Sequence, residues 1–434
     1  MAAGGGMFTV QNKVLPGAYI NFVSKARALG TLGERGVVTL PWTGDWGGGN
    51  VITIENEEFQ TNCMKILGYS YTDDEVLYLR EVFKGANTVK LFRINEGEKA
   101  SAAVGGMTVT ALFGGTKGND IRIVVENNID NADEFIVTTL IGEDMLEVDS
   151  QTVTNIEQLK PNSFVEFKKT GNGELTETAA TVLTGGTNKE ITGNDYSAFL
   201  DKIESEEFTT LLYAGEDETT KGLFASFTKR LRDDEGYKIT CVLCDYAKAN
   251  HEGIISVKDN FELVYWTAGQ TAGAEVNESL TNKLYDGEIT LNQVYKKSEL
   301  KDSVNNGEFV LYGEKGEYRV LKDINTFTEI TVNKNSDFTN NQVIRVLDAV
   351  ANDTARIFNT YYLGKVQNNE TGRNILKTEL INYHSTLQGI QAITNFETTD
   401  ITIIKGNEKG DVVVNEYIEP VGAMEKLYMT CIVE

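Results

Sequence analysis

Between about Glu96 and Leu183 the apolar residues show no helical period. Instead they alternate with polar ones in short runs: MTVTALF, IRIVVEN, EFIVTTLI, MLEVDSQTV, SFVEFKK and TAATVLT. Successive side chains on a strand point to opposite faces, so each run offers one apolar face to a core and one polar face to water. The breaks fall at Gly114-Gly115, Asn127-Asn128, Gly142, Asn162 and Gly171-Asn172-Gly173, residues that suit turns. Regular spacing of strands and turns without helix predicts a small all-β domain inserted over 96–187.

Helical periodicity flanks this insert on both sides. Before it, VVTLPW (Val37–Trp42) and VITI (Val51–Ile54) read as strands. Thr72-Asp73-Asp74-Glu75 has capping-box spacing, and Val76, Leu79 and Phe83 then predict about three helical turns leading to a strand at Thr88–Ile94. After it, Tyr196, Phe199, Leu200 and Ile203 mark one helix face. A strand at Phe208–Ala214, a helix at Thr219–Glu235 ended by Gly236 and a strand at Lys238–Asp245 follow. That β-α-β succession implies a parallel pair. Two long helices are predicted at Asp337–Leu363 (Val343, Leu347, Val350, Ile357, Tyr361) and Glu370–Ile393 (Leu376, Leu380, Tyr383, Leu387, Ile390). The chain closes with strands at Ile401–Lys405, Val412–Glu419 and Lys426–Val433. The fold class is an α/β (α+β) core domain with an inserted all-β domain and extended N- and C-terminal strand arms. Its parts are a 1–24 arm, a 25–95 first core part, the 96–187 insert, a 188–415 second core part and a 416–434 strand.

The 434 residues carry 40 basic and 64 acidic side chains, a formal net charge of −24. Neutralising phosphates takes clustered Lys and Arg, and no such cluster occurs, which argues against a nucleic-acid or anionic-membrane partner. The start, MAAGGGMFTVQNKVLPG, has neither a basic n-region nor an apolar h-region, so synthesis in the cytoplasm without membrane insertion is expected. Four cysteines are too few for a disulfide framework.

Signals of chemistry are weak. Cys241 and Cys244 match C-x-x-C, but they sit three apart inside an apolar strand and should face opposite ways as core thiols. Zinc would need two further ligands, and His251 is the one neighbour. His251 and His384 are expected to be ordinary surface residues. The Gly114–Asp120 stretch, GGTKGND, follows one strand and enters another, so it reads as a turn and not a phosphate loop. Asp130/Asp133, Glu204/Glu206/Glu207 and Asp233/Asp234/Glu235 lack calcium-loop spacing and read as solvated acidic faces. No nucleotide, hydrolase or metalloprotease motif is present, and no cofactor is expected.

Both ends are apolar alternating strands, which expose backbone donors and acceptors unless something pairs with them. They either pair within the subunit or add to a neighbour's sheet. A 24-residue arm reaches ~70 Å at ~3.3 Å per residue. A compact body of this length has a radius of gyration near ~22 Å, so exchange between molecules is geometrically open.

QNKVLPGAYINF (Gln11–Phe22), WTAGQTAGAEVNESLTN (Trp266–Asn282), YRVLKDINTFT (Tyr318–Thr328), VIRVLDAVANDTARIF (Val343–Phe358) and EPVGAMEKLYMT (Glu419–Thr430) occur in this order. In these stretches the chain resembles contractile tail sheath proteins of myophages, defective prophages and R-type bacteriocins, above all those of Gram-positive hosts. The resemblance implies a non-enzymatic subunit of stacked hexameric rings around an inner tail tube, with baseplate and tail terminator proteins as further partners. It implies assembly in the bacterial cytoplasm and release within a phage or bacteriocin particle, contraction driving the tube through the target envelope. It also implies strand exchange between subunits. Val14, Ala18, Tyr19, Ile20 and Phe22 would carry it in the N-terminal arm, and Leu427, Tyr428, Met429 and Ile432 in the C-terminal strand, with Val412 and Val414 in an acceptor or partner strand. Two other classes compete: an S-layer-like surface array, against which the missing secretion signal counts, and an α/β enzyme, against which the empty motif search counts.

Overall fold

The computed structural model describes residues 35–433. It is a mixed α/β fold whose described residues divide into two compact units, one comprising 35–352 with 420–433, the other 353–419. In the first, the chain runs through β1 (Val37–Trp42), β2 (Val51–Glu55), α1 (Asn56–Leu67), α2 (Leu77–Phe83) and β3 (Thr88–Arg93). The insert contributes β4 (Lys99–Val104), β5 (Met107–Gly114), β6 (Ile121–Asn127), β7 (Phe135–Ile141), β8 (Leu146–Val153), β9 (Val165–Lys169) and β10 (Thr178–Val182). The core resumes with α3 (Gly193–Ile203), β11 (Thr210–Tyr213), α4 (Glu218–Lys229), β12 (Thr240–Cys244), β13 (Ile254–Val257), α5 (Leu263–Gly273), α6 (Lys297–Asn305) and β14 (Glu308–Phe309).

The core sheet has seven strands in the order β14-β13-β12-β11-β1-β3-β2, parallel except for the antiparallel edge pair β2–β3. The expected β-α-β unit is its centre: β11 and β12 pair in parallel, with Leu211 opposite Cys241. Parallel strands need covering on both faces, and two apolar clusters supply this. On one side α1, α2 and α5 pack Phe59, Leu79, Val82 and Trp266 against Val38, Leu40 and Val242. On the other, α3 and α4 pack Phe199, Leu200 and Phe224 against Leu211, Cys241 and Leu243. The insert forms a three-stranded sheet, β4-β5-β9, and a four-stranded sheet, β10-β6-β7-β8, around an apolar core of its own. The Gly114–Asp120 stretch is a turn between strands, as expected, closing through one 3-10 segment at Thr116–Asp120.

The predicted cap at Thr72 is not used. Asp73 turns its carboxylate back to accept from the Ser70 amide at 2.8 Å, so helical structure starts at Asp74 as a single 3-10 turn before α2. A small hairpin, β15 (Leu311–Glu314) and β16 (Glu317–Val320), precedes the first long helix, α7 (Asn341–Ile357), which is shorter than predicted. A separate 3-10 turn occupies Ser336–Thr339 and a π turn Phe358–Tyr362. In the second unit α8 (Glu370–Gly389) is followed by β17 (Ile393–Thr394), β18 (Ile401–Lys405) and β19 (Val412–Glu416).

Candidate assembly surfaces

The last described segment is held at two points and then let go. The Ala423 amide donates to Gln342 Oε1 at 2.9 Å, and Glu425 accepts from Thr281 Oγ1 at 3.0 Å with Lys322 Nζ 4.0 Å away. Beyond Glu425, residues 426–433 form neither helix nor strand and every side chain is exposed. The expected strand at Lys426–Val433 therefore makes no ladder with any described residue. Leu427 and Met429 on one face and Tyr428 and Ile432 on the other are all at least 75% exposed. Burying each such side chain is worth about 1.5–3 kcal/mol. A run apolar on both faces has the pattern of a strand covered from both sides, and the chain's own described residues do not cover it.

The hairpin β18–β19 is a second unfinished element. Ile403 lies opposite Val414 and Lys405 opposite Val412, and among the described residues no third strand joins either edge. A two-stranded hairpin is marginal alone. This one is backed by α8, whose Leu380, Tyr383, His384 and Leu387 are buried, and Ile401 is buried against that side. Val414 and Val412 are half-buried, while Val413 and Ile404 are exposed. Val14, Ala18, Tyr19, Ile20 and Phe22, the N-terminal half of the expected exchange set, lie outside the described residues.

The other signals resolve into packing. Cys241 and Cys244 do face opposite ways, the first in the α3–α4 cluster and the second in the α1–α2–α5 cluster. Burial pushes both thiols up to about 12, which leaves little of the thiolate that redox exchange needs. The histidines are not surface residues: His251 is 6% exposed and His384 fully buried. Sequence spacing could not show this, because the burial comes from partners distant in the chain.

Asp233, His251 and Glu252 together have the composition of a metal site. His251 Nε2 lies 3.1 Å from Asp233 Oδ2 and 3.8 Å from Glu252 Oε2. Its other nitrogen, Nδ1, accepts from the Gly253 amide at 3.0 Å, so in the neutral ring the proton sits on Nε2, the atom facing the carboxylates. A ligating histidine has the opposite arrangement, with its second nitrogen donating outward. Lys334 Nζ, 2.7 Å from Glu252 Oε1, already supplies a cation. The cluster therefore works as a buried polar clamp, and burial holds the His251 pKa below the usual histidine value despite the carboxylates beside it.

Four family models cover almost all of this architecture: the tail sheath protein Gp18 domain III N-terminal region over residues 35–94, the phage tail sheath β-sandwich domain over 95–188, its central domain over 189–326 and its C-terminal domain over 333–434. The chain belongs to the phage tail sheath family. The sheath tail protein of Desulfitobacterium hafniense has a similar structure, at 41% identity and a TM-score of 0.83, covering 95% of this chain and 99% of that one. The phage-like element PBSX protein XkdK of Bacillus subtilis is 35% identical over 98% of both chains. The helical sheath of the anti-feeding prophage in its contracted state shares the fold, with a TM-score of 0.56 over 96% of this chain and 99% of that one, at 12% identity. The tail sheath assignment expected from the quoted stretches is thus shown, and so are the α/β fold and the inserted β-sandwich.

Proposed function

We propose that this sheath protein polymerises as stacked hexameric rings around an inner tail tube and contracts to drive the tube through a target envelope, with no catalytic step of its own. The observation that carries the reading is the apolar segment at 426–433, which has no partner within its described chain while the β18–β19 hairpin has two unpaired edges. Main-chain ladders to a neighbour would satisfy both at once, adding Leu427, Tyr428, Met429 and Ile432 to a sheet that contains Val412 and Val414. The N-terminal arm would contribute Val14, Ala18, Tyr19, Ile20 and Phe22 in the same way. The fold is shared with a sheath captured in a contracted state; contraction of this chain would be a passage between two packings of one subunit separated by a barrier.

On this reading 1–24 and 416–434 are exchange arms, 25–95 and 188–415 the two parts of the core, and 96–187 an outward-projecting domain. Baseplate and tail terminator proteins would bound the tube, assembly would occur in the bacterial cytoplasm, and the finished particle would be released. Negative-stain microscopy of the protein expressed alone tests the proposal. Tubes of six-fold symmetry are expected, and deletion of Met1–Ser24 should leave a folded subunit that forms none. A chain that stays monomeric under all conditions would overturn the assembly reading, and tubes from the deleted chain would overturn the role of that arm.

A further inference from the structure

His384 sits in the middle of α8, fully buried, with its ring stacked on Phe396 at 5.1 Å between centroids. Its Nδ1 lies 2.8 Å from the Leu380 carbonyl oxygen. A carbonyl only accepts, so Nδ1 carries a hydrogen and the neutral ring presents a bare lone pair at Nε2. The atom in front of that lone pair is Glu416 Oε2, 3.4 Å away on β19. Both atoms are buried, and neither has a hydrogen-bond partner. As an ionised carboxylate and a neutral imidazole they are two acceptors face to face, an arrangement that costs energy where neither atom touches water, although the Glu416 side chain as a whole is 25% exposed.

One proton resolves the conflict, whichever atom carries it. The other ionisable groups nearby are already engaged. Asp353 on α7 accepts from the Tyr383 hydroxyl at 2.9 Å and pairs with Arg356 at 3.1 Å, and Glu379, further back on α8, acts on Tyr362. Two donors are too few to hold zinc, so the species that the pair is built to bind is the proton itself.

We propose that His384 and Glu416 share a single proton that latches the β18–β19 hairpin onto α8, and that its loss as the pH rises loosens the hairpin. The chemistry is a simple dissociation: the bridging hydrogen leaves to solvent and the two facing acceptors repel. The sign follows directly, with the latch closed on the acid side and open on the alkaline side. Its consequence for the lattice rests on the reading above, in which this hairpin accepts a neighbour's strand.

The test is hydrogen exchange of the full-length chain, read in peptides covering Ile401–Glu416 and corrected for the intrinsic pH dependence. Protection should fall on the order of tenfold between about pH 5.5 and 8.5. In Glu416→Gln the carboxamide can donate to Nε2 of the neutral ring, so on the alkaline side, where the wild type loses protection, the variant should keep it. As a second readout, the chain has two histidines, and the NMR titration of the His384 ring should move in Glu416→Gln while that of His251 stays put. Flat protection in the wild type, an equal fall in the variant, or an unmoved His384 titration would each overturn the latch. These measurements do not depend on tube formation, so an intact latch in a chain that forms no tubes would sink the assembly reading alone.

Discussion

Arg93 and Gly114 meet where the inserted β-sandwich joins the core: Nη1 of Arg93, the last residue of β3, donates to the Gly114 carbonyl at the end of β5 over 2.5 Å. The same buried guanidinium reaches the Gly47 carbonyl at 2.8 Å, Asn188 Oδ1 at 3.1 Å and Asn95 Oδ1 at 3.2 Å. One side chain thus ties the end of a core strand to the insert and to the segment by which the chain leaves it. Asp45 completes the junction, accepting from Asn188 Nδ2 at 2.5 Å and from the Tyr69 hydroxyl.

Replacing Arg93 with Met should strip two buried carbonyls of their donor. Each orphaned group costs about 1–3 kcal/mol, so a loss of about 3 kcal/mol is expected, read as a lower urea midpoint, with faster hydrogen exchange around Gly114 and Asn188. Acid should open the same junction. Burial raises the Asp45 pKa, but hydrogen bonds from Tyr69, Asn188 and Thr116 and the charge of Arg93 bring it below the usual carboxylate value. Its contribution is therefore present at neutral pH and lost as the pH falls through the folded-state value. Asp45→Asn should flatten the acid limb of the stability profile.

Gly269 should tolerate no side chain. A Cβ there would lie 2.1 Å from the Val82 carbonyl oxygen, and one on Gly273 1.9 Å from that of Gly85, so α5 and the C-terminal end of α2 touch backbone to backbone. That contact accounts for the small residues in the WTAGQTAG stretch. Gly269→Ala should cost about 3 kcal/mol or more by forcing the helices apart. Gly389→Ala in α8, with nothing within 4 Å of the added carbon, should be neutral or stabilising. Equal unfolding midpoints for the two variants would contradict the close approach.

What could be read in the sequence was periodicity, and what could not was partnership. The β11-α4-β12 unit and all six quoted strands of the insert emerged because their alternation or 3.6-residue stripe is strong. Helix α1 was missed because NEEFQTNCMKIL buries only Phe59, Cys63 and Leu67, a stripe too thin to stand out. Strand β4 was missed because KASAAV is small and weakly apolar. His251 is buried beneath Thr326, 75 residues along the chain, and His384 against Phe396 and Glu416, pairings that no local pattern can show. At Lys426–Val433 the alternation expressed a preference for a ladder without saying whose strand completes it.

Thiol labelling should separate the four cysteines sharply. Cys63, Cys241 and Cys244 are buried and each is pushed up to about 12 by loss of solvent, whereas Cys431 is exposed. Under native conditions at pH 8, iodoacetamide should modify Cys431 alone. In assembled tubes Cys431 should become protected as well, because the proposed ladder covers its segment. Native labelling of Cys241 or Cys244 would mean that the core sheet opens far more readily than its burial implies.

Assembly should respond to salt. Each subunit carries a net −24, and packing such subunits side by side raises their mutual repulsion. The screening length shrinks from about 30 Å at 0.01 M salt to about 8 Å at 0.15 M. The protein concentration needed for tubes, measured by sedimentation, should fall over that range. A rise would mean that attraction between opposite charges dominates the interfaces.

Deleting 426–434 separates folding from assembly most cleanly. The cut lies just past Glu425, so the contacts to Gln342, Thr281 and Lys322 all remain. The described residues removed, 426–433, are exposed and belong to no described helix or strand. Surface changes of this kind normally shift stability within about 0.5 kcal/mol, so the thermal midpoint of the unassembled subunit should hardly move. If the apolar run completes a neighbour's sheet, however, the truncated chain should fail to pellet as tubes at any concentration. Restoring the segment with Leu427, Met429 and Ile432 changed to Asp should fail too, since a strand covered on both faces cannot admit charges. Tubes from either variant would remove the C-terminal strand from the links that hold the lattice together.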